Sequence, residues 1–206
     1  MNRFEWDLNH EGPFTVDNLV TMVIGNPPRG PEAVPGNYLV RLQIGDQELQ
    51  EPFELKSDPR WDASTDELSR TFQLANEIAG MITNFQKAIE QIRSIREQIT
   101  SIAEKKSELK EIQEQADVLS KKLTSLEDHL INNKMESGQD PIGMERKLSN
   151  RMGRLYQVVR GHDARPTGGM KERFQDLQKV YQDLMNEYQN ILKKDVSAFN
   201  NMLKDS

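Results

Sequence analysis

From Leu68 to Leu130, apolar residues recur at intervals of three or four with no proline among them, a pattern that long helices packed on one another accommodate and strands do not. The first run is Leu68, Phe72, Ala75, Ile78, Ile82, Phe85, Ile89, Ile92, Ile95, Ile99 and Ile102. Ser64 and Glu67 ahead of it have the spacing of a capping box, in which the hydroxyl accepts from the backbone and the carboxylate reaches back. A helix from Asp66 to Ile102 would extend roughly 55 Å at 1.5 Å per residue. Leu109, Ile112, Ala116, Leu119, Leu123, Leu126 and Leu130 give a heptad pattern for a second helix. The polar stretch Glu104 to Glu108 is the expected reversal. No glycine or proline marks it and Lys106 alone interrupts the seam, so one very long helix is the alternative.

The pattern lapses from Asn132 to Gly143, where Gly138 and Pro141 mark a connection. Leu148, Met152, Leu155 and Val159 then define a shorter third helix ending near Gly161. Thr167 can cap a fourth, carrying Met170, Phe174, Leu177, Tyr181, Leu184, Tyr188, Ile191 and, further on, Phe199 and Leu203. Four helices with short links predict an antiparallel up-down bundle. In that arrangement the first and fourth lie side by side, with Phe199 and Leu203 near Leu68 and Phe72.

Ahead of this region the chain changes character. Seven of the nine prolines precede Trp61, which places the expected domain boundary near Pro59, with a β portion over 1–59 and a helical portion over 60–206. Phe4, Trp6 and Leu8 alternate with Glu5 and Asp7, the period of a strand with one buried face. Tyr38, Val40, Leu42 and Ile44 repeat it, Gly45-Asp46 supplies a tight turn, and Leu49, Phe53 and Leu55 suggest the returning strand. Pro52 in that strand implies a bulge or an edge. The segment Gly25 to Gly36 reads as a loop. Three or four strands make a thin sandwich that further strands would complete.

Composition narrows the function. Hydrophobic residues are 35% and charged residues 29%, a balance suited to exposed helical surface. The net charge is −6, of which Met1 to Ser57 holds −5 from four basic and nine acidic residues. An acidic front and a near-neutral rear argue against nucleic acid as a partner. There is no cysteine, hence neither disulfide nor thiolate chemistry. No apolar run approaches the ~20 residues of a membrane span, and the first residues lack the apolar core of a signal peptide, so any export signal would lie upstream.

No residue pattern defines a reaction centre. Glu5 and Asp7 share a strand face and are weighed as a glycosidase-like carboxylate pair, but a solvated surface accounts for them. His10, His129 and His162 fit no metal-ligand spacing, and Asp128 and Asp163 beside the latter two are ordinary helix-end chemistry. Arg146, Lys147, Arg151, Arg154, Arg160 and Arg165 make the third helix basic. They fit an anionic partner, or pair with acids such as Glu127, Asp128 and Glu172, or stay hydrated. The loop around Pro27, Pro28 and Pro31 reads as a connection in preference to a polyproline ligand, and Tyr181 and Tyr188 as core-edge residues in preference to a carbohydrate platform. The expectation is no catalytic, cofactor-binding or metal-binding residue, and no enzyme.

Several short stretches, in order, resemble the C-terminal region of large bacterial proteins built on an Asp-box, sortilin-like β-propeller and often labelled glycosyl hydrolase or sialidase-like. They are Asn2 to Leu8, Val34 to Leu42, Asp58-Pro59-Arg60, Lys147 to Arg151, Ala164 to Thr167 and Ala198-Phe199-Asn200. The first two resemble later strands of an immunoglobulin-like domain of the flagellar-hook-capping type. The resemblance implies an exported, multidomain parent and a fold that is α+β, mainly α: a partial immunoglobulin-like β-sandwich followed by a long antiparallel four-helix bundle. This chain holds no Asp-box repeat, so no catalytic residue carries over. The expected function is a structural or protein-interaction module, with the preceding propeller domain or another subunit as partner and homo-oligomerisation open. The alternative is an accessory carbohydrate-binding module, for which Trp61 at the domain junction is the residue of interest.

Overall fold

The computed structural model describes residues 3–16, 29–133 and 143–205. Among the described residues the chain is mainly helical, with one small two-stranded antiparallel sheet. Strands β1 (Gly36–Ile44) and β2 (Gln47–Leu55) pair without a bulge from Gly36↔Leu55 to Ile44↔Gln47. The two-residue turn at Gly45-Asp46 places only the glycine at positive φ, 58°, the pattern of a type II′ hairpin turn whose twist matches that of the strands. Pro52 sits opposite Leu39 on an edge strand, where a missing N–H is tolerated.

The alternation over Phe4, Trp6 and Leu8 does not produce a strand. Leu8 adopts a left-handed backbone with φ 60°, which no extended strand can contain. The pairing that remains is a single bridge, Asn9↔Glu32, flanked by the bonds His10 N–H to Pro31 O (2.9 Å) and Ala33 N–H to Leu8 O (2.7 Å). Gly30 is indispensable to this crossing, because a Cβ there would lie 1.9 Å from the His10 carbonyl oxygen. Of the loop expected over Gly25 to Gly36, the part containing Pro27 and Pro28 lies outside the described residues, and Pro31 is buried. The front of the chain then runs onto the helices. Phe14 N–H donates to Thr83 Oγ1 (3.1 Å), Val16 N–H to Gln86 Oε1 (3.2 Å), and Tyr156 Oη to the Arg29 carbonyl (2.8 Å).

Helix α1 (Thr65–Lys105) opens with the capping box: Glu67 N–H donates to Ser64 Oγ, and Ser64 N–H to Glu67 Oε2. It closes at Lys106, and Leu109 N–H bonds back to Lys106 O (3.0 Å) before α2 (Lys110–Leu130) begins. The reversal therefore exists, and backbone bonds close it where no glycine is present; the single long helix is excluded. Helix α3 spans Leu148–Arg160. Helix α4 (Gly168–Asn190) continues without interruption through a π-helical segment, Ile191–Val196, into α5 (Ser197–Asp205).

The expected antiparallel up-down order is not what the cross-helix bonds give. Arg96 bonds Thr124 and Arg93 bonds Glu127, so α2 runs against α1 from its C-terminal end to its middle. There Asn132 meets Asn150 at the start of α3, and α3 runs on against the first half of α1, reaching its N-terminal end where Thr71 bonds Ala164. Beyond that point Asn84 pairs with Tyr181 and Gln91 with Tyr188, so α4 runs in the same direction as α1. Helices α2 and α3 thus follow one another along a single lane, and α1 and α4 to α5 occupy the other two. The physical reason is length: α2 and α3, at 21 and 13 residues, together match the 41-residue α1 that neither could cover alone. Phe199 and Leu203 consequently lie at the far end of α1 from Leu68 and Phe72.

The core is continuous along these lanes, and Ile78, Ile82, Phe85, Ile89, Leu123, Leu126, Met152, Val159 and Leu177 have no exposed surface. Leu74, Ala79 and Ala88, outside the predicted stripe, are also buried, because α1 is contacted from two sides and its apolar stripe is correspondingly wide. The π-helical segment has a clear cause. At α-helical spacing Asp195 would follow Ile191 into the core. One extra residue in the turn places Val196 and then Phe199 inward instead, and leaves Asp195 to pair with Lys122 of α2 at 2.6 Å.

Candidate functional site

The hairpin presents two unlike faces. Tyr38, Val40, Leu42 and Ile44 alternate on one of them with Phe53, Glu51, Leu49 and Gln47 opposite. At the base of this face Trp6 leans on Tyr38 (centroids 5.6 Å) and edges Phe53 (6.2 Å), while its Nε1 donates to the Asn9 carbonyl at 2.8 Å. That cluster covers only the base. Beyond it Val40 (53% exposed), Leu42 (52%), Ile44 (63%) and Leu49 (65%) stand open to solvent with no described residue over them. A contiguous apolar strand face in water is the feature that marks an interaction surface.

A cleft of about 470 Å³ lies between the base of the hairpin and the ends of α1 and α3. Its floor is apolar, from Leu8, Leu55, Leu68 and Phe72, and its rim carries Trp61, Arg160, His162 and Asp163. Trp61 is 56% exposed. Beside it the Arg60 guanidinium grips Asp58 through Nε at 2.9 Å, while Arg60 N–H donates to the same carboxylate. These side-chain and backbone bonds hold the Asp58 carboxyl down to about 2.

A buried ion cluster joins α1 to α2. Glu127 is wholly buried; its Oε1 accepts from Arg93 Nε at 2.7 Å. Its Oε2 lies 2.8 Å from Arg96 Nη1, close enough for an ion pair though not aligned as a hydrogen bond. Arg96 also reaches Thr124 Oγ1 at 3.0 Å. Glu127 is therefore not a partner of the basic third helix, as the sequence suggested; it is enclosed by arginines of the first. Of the six basic residues around α3, Lys147 pairs with Glu145 at 2.6 Å, and among the described ion pairs none involves Arg146, Arg151, Arg154, Arg160 or Arg165. Asp128 accepts from Asn133 instead.

The remaining sequence candidates are dispersed. Glu5 pairs with Arg3 and Asp7 accepts from Asn9 N–H, so each acid is engaged by a near neighbour in the chain. His10 packs on Phe72, His129 Nδ1 lies 2.7 Å from the Ser125 carbonyl, and His162 Nε2 lies 3.2 Å from the Arg165 carbonyl. Among the described residues no three metal-ligating side chains gather. Tyr188 is buried against Gln91 and Tyr181 is half-buried. Burial pushes the phenol of Tyr188 up, and that of Tyr156 up to about 12. Among the described helices none is long and apolar enough to cross a membrane. Comparisons with family models, with curated proteins and with solved structures find no match for this chain.

Proposed function

We propose that this chain is a non-catalytic structural or protein-interaction module of a larger exported β-propeller protein, with a partial immunoglobulin-like β portion that docks on a protein partner and a helical portion that holds it rigid. The partner is the preceding propeller domain or another subunit. One observation carries the reading: the helices bury their apolar stripes against one another, whereas the hairpin leaves Val40, Leu42, Ile44 and Leu49 uncovered. The resemblance to propeller-protein C-terminal regions supplies the rest. Sedimentation velocity and cross-linking of the full chain, alone and with the adjoining parent domain, test it. Leu42→Ser/Leu49→Ser is expected to abolish association while leaving stability within about 0.5 kcal/mol, because these side chains are already largely hydrated. Association unchanged by the double variant, or a chain that never associates, contradicts the proposal.

A second reading, an accessory carbohydrate-binding module, has one observation in its favour: Trp61 is exposed at the rim of the junction cleft, as a sugar-stacking platform requires. Glycan-array screening with the Trp61→Ala variant as control tests it. Absence of any signal, or a signal that survives the substitution, removes it.

A further inference from the structure

The two outer edges of the hairpin are not equivalent. In an antiparallel pair the residues flanking a two-residue turn exchange both backbone bonds, so Ile44/Gln47, Leu42/Leu49, Val40/Glu51 and Tyr38/Phe53 bond inward. The intervening residues turn their N–H and C=O groups outward: Asn37, Leu39, Arg41 and Gln43 on β1, and Glu48, Gln50, Pro52 and Glu54 on β2. The outer edge of β2 therefore has a missing donor in its middle, at Pro52, and presents Glu48 and Glu54, the devices by which edge strands refuse a neighbour. The outer edge of β1 has every donor intact over nine residues, no bulge, and Arg41 as its only charge. Among the described residues, no backbone bond outside the hairpin reaches it.

We propose that the occupant is an extended strand of the protein partner, added to the outer edge of β1, with alternate apolar side chains prolonging the face of Val40, Leu42 and Ile44 and a carboxylate opposite Arg41. This rests on the interaction-module reading and specifies its docking geometry. A second copy fits less well. Four half-exposed aliphatic side chains offer on the order of 400 Å², so two stacked faces bury on the order of 800 Å², short of the roughly 1,200 Å² of a stable interface. Pairing β1 with β1 of another copy about Val40 sets each Arg41 opposite a leucine and diagonal to the other arginine, where like charges repel. Arg41 Nε lies 3.7 Å from Glu48 Oε1 across the hairpin with both side chains exposed, so its guanidinium keeps donors for an acid at that position of an added strand, whereas the same acid on the β2 edge meets Glu48, Glu51 and Glu54.

The test uses the full chain and a capped peptide, Thr-Val-Thr-Val-Glu-Val-Thr-Val-Thr, read by residue-resolved amide exchange and by fluorescence anisotropy. Added peptide is expected to protect the amides of Leu39, Arg41 and Gln43 and leave those of Glu48, Gln50 and Glu54 unchanged. Arg41→Pro removes one outward N–H without touching the inward ladder and is expected to weaken binding by about tenfold or more; Gln50→Pro, the same change on the other edge, leaves it unaltered. Arg41→Glu supplies a variant with an intact backbone, expected to weaken this peptide and to prefer one with lysine in place of its glutamate. Protection on β2, or equal losses from Arg41→Pro and Gln50→Pro, overturns the edge assignment while leaving the interaction-module reading to its own test. Absence of binding at millimolar peptide overturns the strand-addition inference. Loss of association in the Leu42→Ser/Leu49→Ser chain, measured separately, shows whether the broader reading survives.

Discussion

Removing the two arginines that enclose Glu127 is expected to destabilise the chain more than removing Glu127 itself. The Glu127 side chain is 1% exposed, whereas those of Arg93 and Arg96 are 34% and 28% exposed. In Arg93→Ala/Arg96→Ala a buried charge loses both counter-ions and cannot turn to solvent, which costs about 3–5 kcal/mol by analogy with other broken buried pairs. In Glu127→Gln the arginines can swing into water and the amide keeps one acceptor for Arg93 Nε, so the cost falls to about 1–2 kcal/mol. Urea denaturation with the slope fitted separately for each variant reads the difference directly. In a chain of this size, 206 residues, the double variant should also melt roughly 6–20 °C lower, at about 2–4 °C per kcal/mol. A Glu127→Gln cost equal to or larger than that of the double arginine variant would refute the reasoning. So would additive effects of Arg93→Ala and Glu127→Ala, since side chains in contact must show a coupling energy.

Three further expectations follow from local geometry. Gly30→Ala, whose Cβ would lie 1.9 Å from the His10 carbonyl oxygen, is expected to cost about 1–3 kcal/mol in a thermal melt and to loosen the Asn9↔Glu32 bridge; an unchanged melt contradicts the crossing. Deleting Lys194 should turn the π-helical segment into ordinary α-helix with Val196 and Phe199 still inward, and so cost less than deleting Asp176 within regular α4; circular dichroism during melting compares them. The Asp58 carboxyl, held at about 2 against an ordinary 3.8, favours the folded state above pH ~4 and loses that contribution as pH falls toward 2; Arg60→Ala should return its titration by NMR toward the ordinary value.

The sequence announced the helices and the hairpin because their periods are written in the apolar spacing. The stripe through Ile78, Ile82, Phe85, Ile89 and Ile92 became the buried face of α1, and Tyr38 to Leu55 became two paired strands. Chain direction was not legible in that way. A heptad stripe states which face is buried and not which neighbour covers it, so the shared lane of α2 and α3 emerged only from the cross-helix bonds. Its one trace in the sequence was length, since α2 and α3 must be added together to match α1. The alternation at Phe4 to Leu8 misled because a strand needs a ladder partner as well as a period, and Leu8 breaks the extended backbone. The π-helical segment did have a signal: the eight-residue gap from Ile191 to Phe199, with Asp195 where an α-helix would demand an apolar residue. The open apolar face was visible as spacing, but that nothing among the described residues covers it is a three-dimensional fact.

Methyl-resolved NMR with a soluble nitroxide, on the full chain alone and then with the propeller domain proposed as its partner, tests whether that face is the docking surface. The methyls of Val40, Leu42, Ile44 and Leu49 should relax strongly in the chain alone, while those of Ile82, Leu123 and Met152 do not, and the hairpin methyls should become shielded when the partner is added. Hairpin methyls shielded from the outset, or still fully relaxed in the assembled protein, would contradict the account.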